Sequence, residues 1–393
     1  MTTRLPDGEY DARLERVRDR LARTACGAAV VFDATNVAYL TGFHHVATER
    51  PVALAVTADR VAVTVPRLEV ERVTDNPRID TVHDYFDYPG GMPMATVASM
   101  LRHLDVDRVY ADADGAPGVM GYSGPPLSSY VEVTVQDWVS RMRWSKSDAE
   151  VALLRESARW ANLGHRRLAD ALVPGAHPAT VGQRASTAAS RAMLDTLGER
   201  YVPRVRGDGP VSVGLVSDGE TALPHGHTPN RRLREGSVVV TGATANVDGY
   251  GAELERTMFV GDPTDEDVHY FEVMCEAGRV AVDALAPGVP VADVDQAVWD
   301  YFLEQGVTDL ARHHTGHGLG LAPHEPPYLD RGWGDADEDP GNHVVEPGHV
   351  YAVEPGLYTE RAGYRHSDTV AVTEDGVERL TYFPRSLGEN VVR

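Results

Sequence analysis

The stretch HHTGHGLGLAPHEPP, residues 313–327, decides how this chain is read. It sets His317 and His324 seven residues apart in an apolar segment broken by glycine and proline. In one continuous strand an odd spacing sends two side chains to opposite faces. Pro323 predicts a turn between them, and a turn brings both rings to one side. Glycine or proline beside a histidine also marks places where the backbone presents a side chain to a cleft. His317 and His324 are therefore read as a functional pair. His44, His45, His103, His165 and His227 are read as surface or satisfied core residues.

Three flanking stretches extend the pattern. In YAVEPGLY (351–358), Glu354 follows an apolar run and precedes Pro-Gly. A carboxylate buried there needs a partner, because burying it unpaired is costly. In GYGAELERTMF (249–259), Glu253 and Glu255 stand two apart on a predicted strand and share a face. Spacing alone reads that face as solvated. LPHGHTPNRRL (223–233) contributes His225.

Helical spacing over 9–24, short apolar strands at 28–34, 51–60, 61–66 and 108–114, and a helix around 95–104 predict a small α/β domain over 1–140. A long helix follows, with Ser147 as N-cap and Glu150 as its capping-box partner. It opens a larger α+β domain, 141–393, in which two helix pairs are each followed by strands. The loop 331–348 is acidic and Gly/Pro-rich, which predicts exposure.

Composition narrows the function. The chain has 393 residues, 59 acidic against 37 basic, for a net charge of −22. Such a surface repels phosphate backbones and anionic membranes, so no nucleic-acid or membrane partner is expected. Lys146 is the only lysine. An acidic, lysine-poor surface suits high salt, and the arginine bias suits a GC-rich genome equally. Cys26 and Cys275 lie far apart with no metal spacing and read as thiols of a reducing cytoplasm.

Four motifs, PH-x(7)-L-x-x-G, GHGLG-x-x-x-HEPP, VEPGLY and YRHSDTVAVTEDG, follow the helix segment KSDAEVALLR. In that order they resemble the active-site segments of the creatinase and Xaa-Pro peptidase family, over residues 10–393. The resemblance implies a pita-bread catalytic domain, a smaller creatinase-like N-terminal domain and a homodimer. Peptidases of this family hold two divalent metals with Asp, Asp, His, Glu and Glu. Those positions fall here on Gly242, Glu253, His317, Glu354 and Ser367, so two ligands are missing. The metal-free creatinase branch matches LERT (254–257), with Glu255 holding substrate, His225 as the active histidine, and Arg50 in ERPVALAVT (49–57) reaching the partner's cleft. Tyr328, where creatinases carry arginine, argues against creatine itself.

The expectation is a creatinase-like hydrolase of a C–N bond in a small molecule or short peptide, working without a cofactor. His225, Glu255 and Glu354 are the catalytic residues of that reading, and Arg50, His317 and His324 bind substrate. The alternatives are an Xaa-Pro peptidase with an altered site, holding Mn, Co or Zn on Glu253, His317 and Glu354, and a non-catalytic binding protein of the same fold.

Overall fold

A computed structural model describes residues 2–116, 121–204, 209–333 and 343–393. Residues 334–342, within the loop read as exposed, lie outside that description. The chain forms two compact units. One is Pro6–Arg143, and the other is Trp144–Arg393 joined by Leu5, whose N–H donates to Asp248 at 2.7 Å.

The smaller unit runs α1 (Asp7–Leu21), β1 (Ala28–Val31), α2 (Ala34–Thr41), β2 (Ala53–Val56), β3 (Val61–Pro66), α3 (Val70–Val73), β4 (Thr81–Tyr85), α4 (Pro93–His103), β5 (Arg108–Ala111), β6 (Glu132–Val135) and α5 (Trp138–Met142). Its strands lie in the order β4-β3-β2-β1-β5-β6. The short strands β1 and β2 are buried at every position, which is why they read as unbroken apolar runs rather than alternations. Met94, Val97, Met100 and Leu101 of α4 close one face of the sheet.

The larger unit opens with α6 (Asp148–Ala169). Ser147 accepts from the Glu150 N–H while the Glu150 side chain takes the Ser147 N–H, so the expected capping box is present. Then come α7 (Pro178–Leu197), β7 (Val211–Ser217), β8 (Ser237–Val247), β9 (Tyr250–Val260), α8 (Asp265–Ala284) and α9 (Val291–Gln305). Short strands complete it: β10 (Gly316–Gly318), β11 (Glu325–Leu329), β12 (Val350–Val353), β13 (Gly356–Tyr358), β14 (Gly363–Arg365), β15 (Ser367–Thr373), β16 (Gly376–Arg379) and β17 (Val391–Val392). Its main sheet runs β11-β10-β12-β15-β9-β8-β7, with β16 on β15 and β17 on β9. Phe271 and Met274 of α8 and Val298 and Phe302 of α9 pack into its core. Two helix pairs backing one continuous sheet are the α+β pita-bread arrangement that the motifs implied.

Candidate active site

Strand pairing builds the floor of the cleft. Gly214 of β7 pairs with Gly242 of β8, Gly242 pairs with Glu255 of β9, and Glu255 pairs with Ser367 of β15. Directly opposed residues share a face of the sheet. The cleft side of this row thus carries two glycines, a carboxylate and a hydroxyl. Alternation along β9 puts Glu253 and Glu255 on that side, while Leu254 and Arg256 turn to the fully buried reverse face. Arg256 there pairs with Asp368 at 2.8 Å.

The predicted residues converge. Ser367 Oγ donates to Glu253 Oε1 at 2.8 Å. The rings of His317 and His324 stack 3.8 Å apart at 15°, so the turn at Pro323 does bring them together. His317 Nδ1 faces the Gly318 carbonyl at 3.0 Å, which turns Nε2 toward Glu354 Oε1, 3.3 Å away. That contact falls short of hydrogen-bond geometry, so Nε2 is a buried nitrogen with no hydrogen-bond partner. His225 lines a cavity of about 270 Å³ with Gly214, Gly242, Glu255, Tyr358 and Arg365. Arg50 lies in the smaller unit, bonded to Asp87 at 2.6 Å and to Glu49 at 2.5 Å.

Reading motifs alone missed Arg365, Tyr358 and His313. Arg365 grips Glu255 with two bonds, Nε to Oε2 at 2.5 Å and Nη2 to Oε1 at 2.9 Å. Its third nitrogen donates to Tyr358 Oη at 3.1 Å and to the Pro224 carbonyl at 3.2 Å. His313 Nε2 meets the same Tyr358 hydroxyl at 2.7 Å. The signal was available: Arg365 stands two residues before Ser367, and period-two alternation gives both one face.

The charges are strongly perturbed. Burial, then the nearby Glu255 and Glu354, push Glu253 up to about 7. Burial also raises Glu255, with Arg365 opposing it. For Glu354 burial works upward but is outweighed by the facing His317 and by Arg365, which hold it down at about 2. His317 is raised: Glu354 and Glu253 overcome its burial. Burial and the neighbouring His317 lower His324, keeping that ring neutral and able to ligate. Two groups bring ligand atoms within 4.8 Å of one another: Glu253, His317 and His324, and Glu253, Glu255 and Glu354. The orphaned His317 Nε2 beside a carboxylate fits a divalent cation.

Comparison with known proteins decides the family. The sequence model of metallopeptidase family M24 matches residues 152–374, and that of the creatinase/prolidase N-terminal domain matches residues 13–114. The chain belongs to metallopeptidase family M24. A "probable dipeptidase PepE" of Mycobacterium tuberculosis is 30% identical over 396 residues, covering 98% of each chain. The crystal structure of dipeptidase PepE from Mycobacterium ulcerans superposes with a TM-score of 0.78 at 28% identity, covering 99% of both. An Xaa-Pro dipeptidase from Bacillus anthracis shares the fold, with a TM-score of 0.80 at 22% identity over 98% of this chain and all of its own. As an M24 member the chain is a hydrolase of C–N bonds. The expectation of no cofactor is corrected: this is a metallopeptidase family, and the cleft brings together carboxylates and histidines that could hold a metal ion. The relatives named as dipeptidases favour the Xaa-Pro peptidase alternative over the creatinase-like reading. Among the described residues, no helix is long and apolar enough to cross a membrane.

Proposed function

We propose that the chain is a dipeptidase, hydrolysing the peptide bond of short peptides with a divalent cation held by Glu253, His317 and His324. One observation carries this: a carboxylate and two stacked imidazoles with ligand atoms within 4.8 Å, in a protein of metallopeptidase ancestry. The relatives named as dipeptidases, aligned over nearly the whole chain, support the substrate class.

When bound, such an ion polarises the scissile carbonyl and acidifies water. The chain's own residues do the rest. Glu253, held in place by the Ser367 hydroxyl, would offer the ion its ionised carboxylate. Glu354, held ionised, keeps His317 oriented. His225 lines the cavity and serves the departing amine as proton donor. In the same reading the protein is a homodimer, and Arg50 leaves Asp87 to hold the carboxylate of a peptide bound by the partner subunit.

The test is a panel of dipeptides assayed after EDTA treatment and again after adding Mn or Co. Hydrolysis is expected to vanish and return, and His225→Ala is expected to lower kcat by about 100-fold or more while the fold is kept. Activity indifferent to chelation, or confined to non-peptide amidines, would sink the proposal.

A further inference from the structure

Two ligand groups share Glu253, yet they differ in availability. In the first, His317 Nε2 has no hydrogen-bond partner and His324 is exposed. In the second, Glu255 already serves a cation. Both of its oxygens are bonded by Arg365, at 2.5 and 2.9 Å, and Arg365 Nε also stands 3.8 Å from Glu354 Oε2. Tyr358 and the Pro224 carbonyl fix the third guanidinium nitrogen, so the group is held from three sides. A guanidinium does not give up its proton in a protein. It is a permanent charge, planar, and matched to a carboxylate fork.

Backbone register explains the arrangement. Gly242, across the hairpin from Glu255, carries no side chain, and a Cβ there would lie 3.6 Å from Glu255 Oε1. A longer side chain would crowd the carboxylate that turns to Arg365. On the other side of the row, Ser367 offers only a neutral hydroxyl, and it is spent on Glu253.

We propose that this cleft holds one divalent cation, and that the Arg365 guanidinium, locked on Glu255, occupies the place of a second. Charge supports it. With Glu253 ionised and His317 neutral, as ligation requires, the three carboxylates Glu253, Glu255 and Glu354, less one guanidinium, leave two negative charges, which a single divalent ion neutralises. A second ion would leave the buried cleft with two positive charges, and an uncompensated buried charge is strongly unfavourable. The inference rests on the metal-assisted reading of the same site, but it concerns ion number, not substrate.

The experiment is ion counting on the EDTA-stripped full chain by native mass spectrometry and calorimetry with Mn or Co. The wild type is expected to take one ion per chain. Glu255→Gln is expected to keep that ion with affinity changed only a few-fold, whereas Glu253→Gln weakens it by more than about tenfold. Arg365→Met frees Glu255 and is expected to admit a second ion. Two ions or none on the wild type, loss of the ion in Glu255→Gln, or a folded Arg365→Met that still takes one, would each overturn the proposal. If Arg365→Met does not fold, the wild type and Glu255→Gln decide. One ion with no dipeptide hydrolysis would leave the ion count standing and remove the dipeptidase reading. Two ions with hydrolysis would do the reverse.

Discussion

The sole lysine is spent on the interior. Lys146 and Glu325 form an ion pair at 2.8 Å with side chains 1% and 2% exposed, and Lys146 Nζ also donates to the Trp144 carbonyl at 3.2 Å. Glu325 adjoins His324, so the pair ties the start of the catalytic domain to the segment carrying a proposed ligand. Buried pairs add little net stability, but stranding one partner is expensive. Lys146→Met is therefore expected to destabilise the protein by about 3–5 kcal/mol in urea unfolding. Adding Glu325→Gln is expected to recover much of that, because the stranded charge is then gone. Equal losses in the single and double variants would show that lysine packing, not charge, is at stake. Lys146 was conspicuous in the sequence, yet nothing local announced its burial, since polar residues surround it and its partner lies far along the chain.

At the scale of elements, the chain's periodicities were legible and its pairings were not. Alternation in 249–259 put Glu253 and Glu255 on one face, and Ser147 with Glu150 marked the start of α6. The row Gly214–Gly242–Glu255–Ser367 was hidden, because register is a non-local choice among three separate strand pairings. Its consequence was hidden too: a carboxylate on the neighbouring strand reaches space that the linear motif leaves empty at Gly242. Strands β12 and β13 are separated at Glu354 and Pro355, and that break is what presents Glu354 to the cleft. Strand β10 packs closely against β12. A Cβ on Gly316 would stand 2.1 Å from the Ala352 carbonyl, a backbone atom that cannot swing aside. Gly316→Ala is expected to push β10 off β12, cost at least about 1–3 kcal/mol in thermal unfolding, and weaken Mn binding by displacing His317. Unchanged melting with unchanged ion affinity would show that the strand yields freely.

Over the whole molecule, the net charge of −22 and a set of buried neutral histidines make stability depend on pH in a defined direction. Burial, then Arg256, lowers His165 to about 3, and burial, then Lys146, lowers His349 to about 3. His366 is lowered well below its ordinary 6.5 by burial and Arg256. A group whose folded pKa is depressed contributes stability above its unfolded pKa. That stability is lost as pH falls from 6.5 toward the folded value. Each such histidine adds a slope of about 1.4 kcal/mol per pH unit in that window. Glu253 opposes one of them: its folded value of about 7 exceeds the ordinary 4.5, so lowering pH between those values favours the folded state. Below 4.5 that offset ends, and Glu354, held at about 2, begins to lose its own contribution. The ion-free protein is therefore expected to melt at a nearly constant temperature above pH 7, lower below pH 6, and fall most steeply below pH 4.5. Salt at about 0.5 M brings the screening length below 10 Å and removes most of the surface self-repulsion that protonating exposed carboxylates would otherwise relieve. Calorimetry across that range under those conditions checks the sign, and a melting temperature that stays flat or rises from pH 7 to pH 5 would mean that the buried histidines find protons inside the fold.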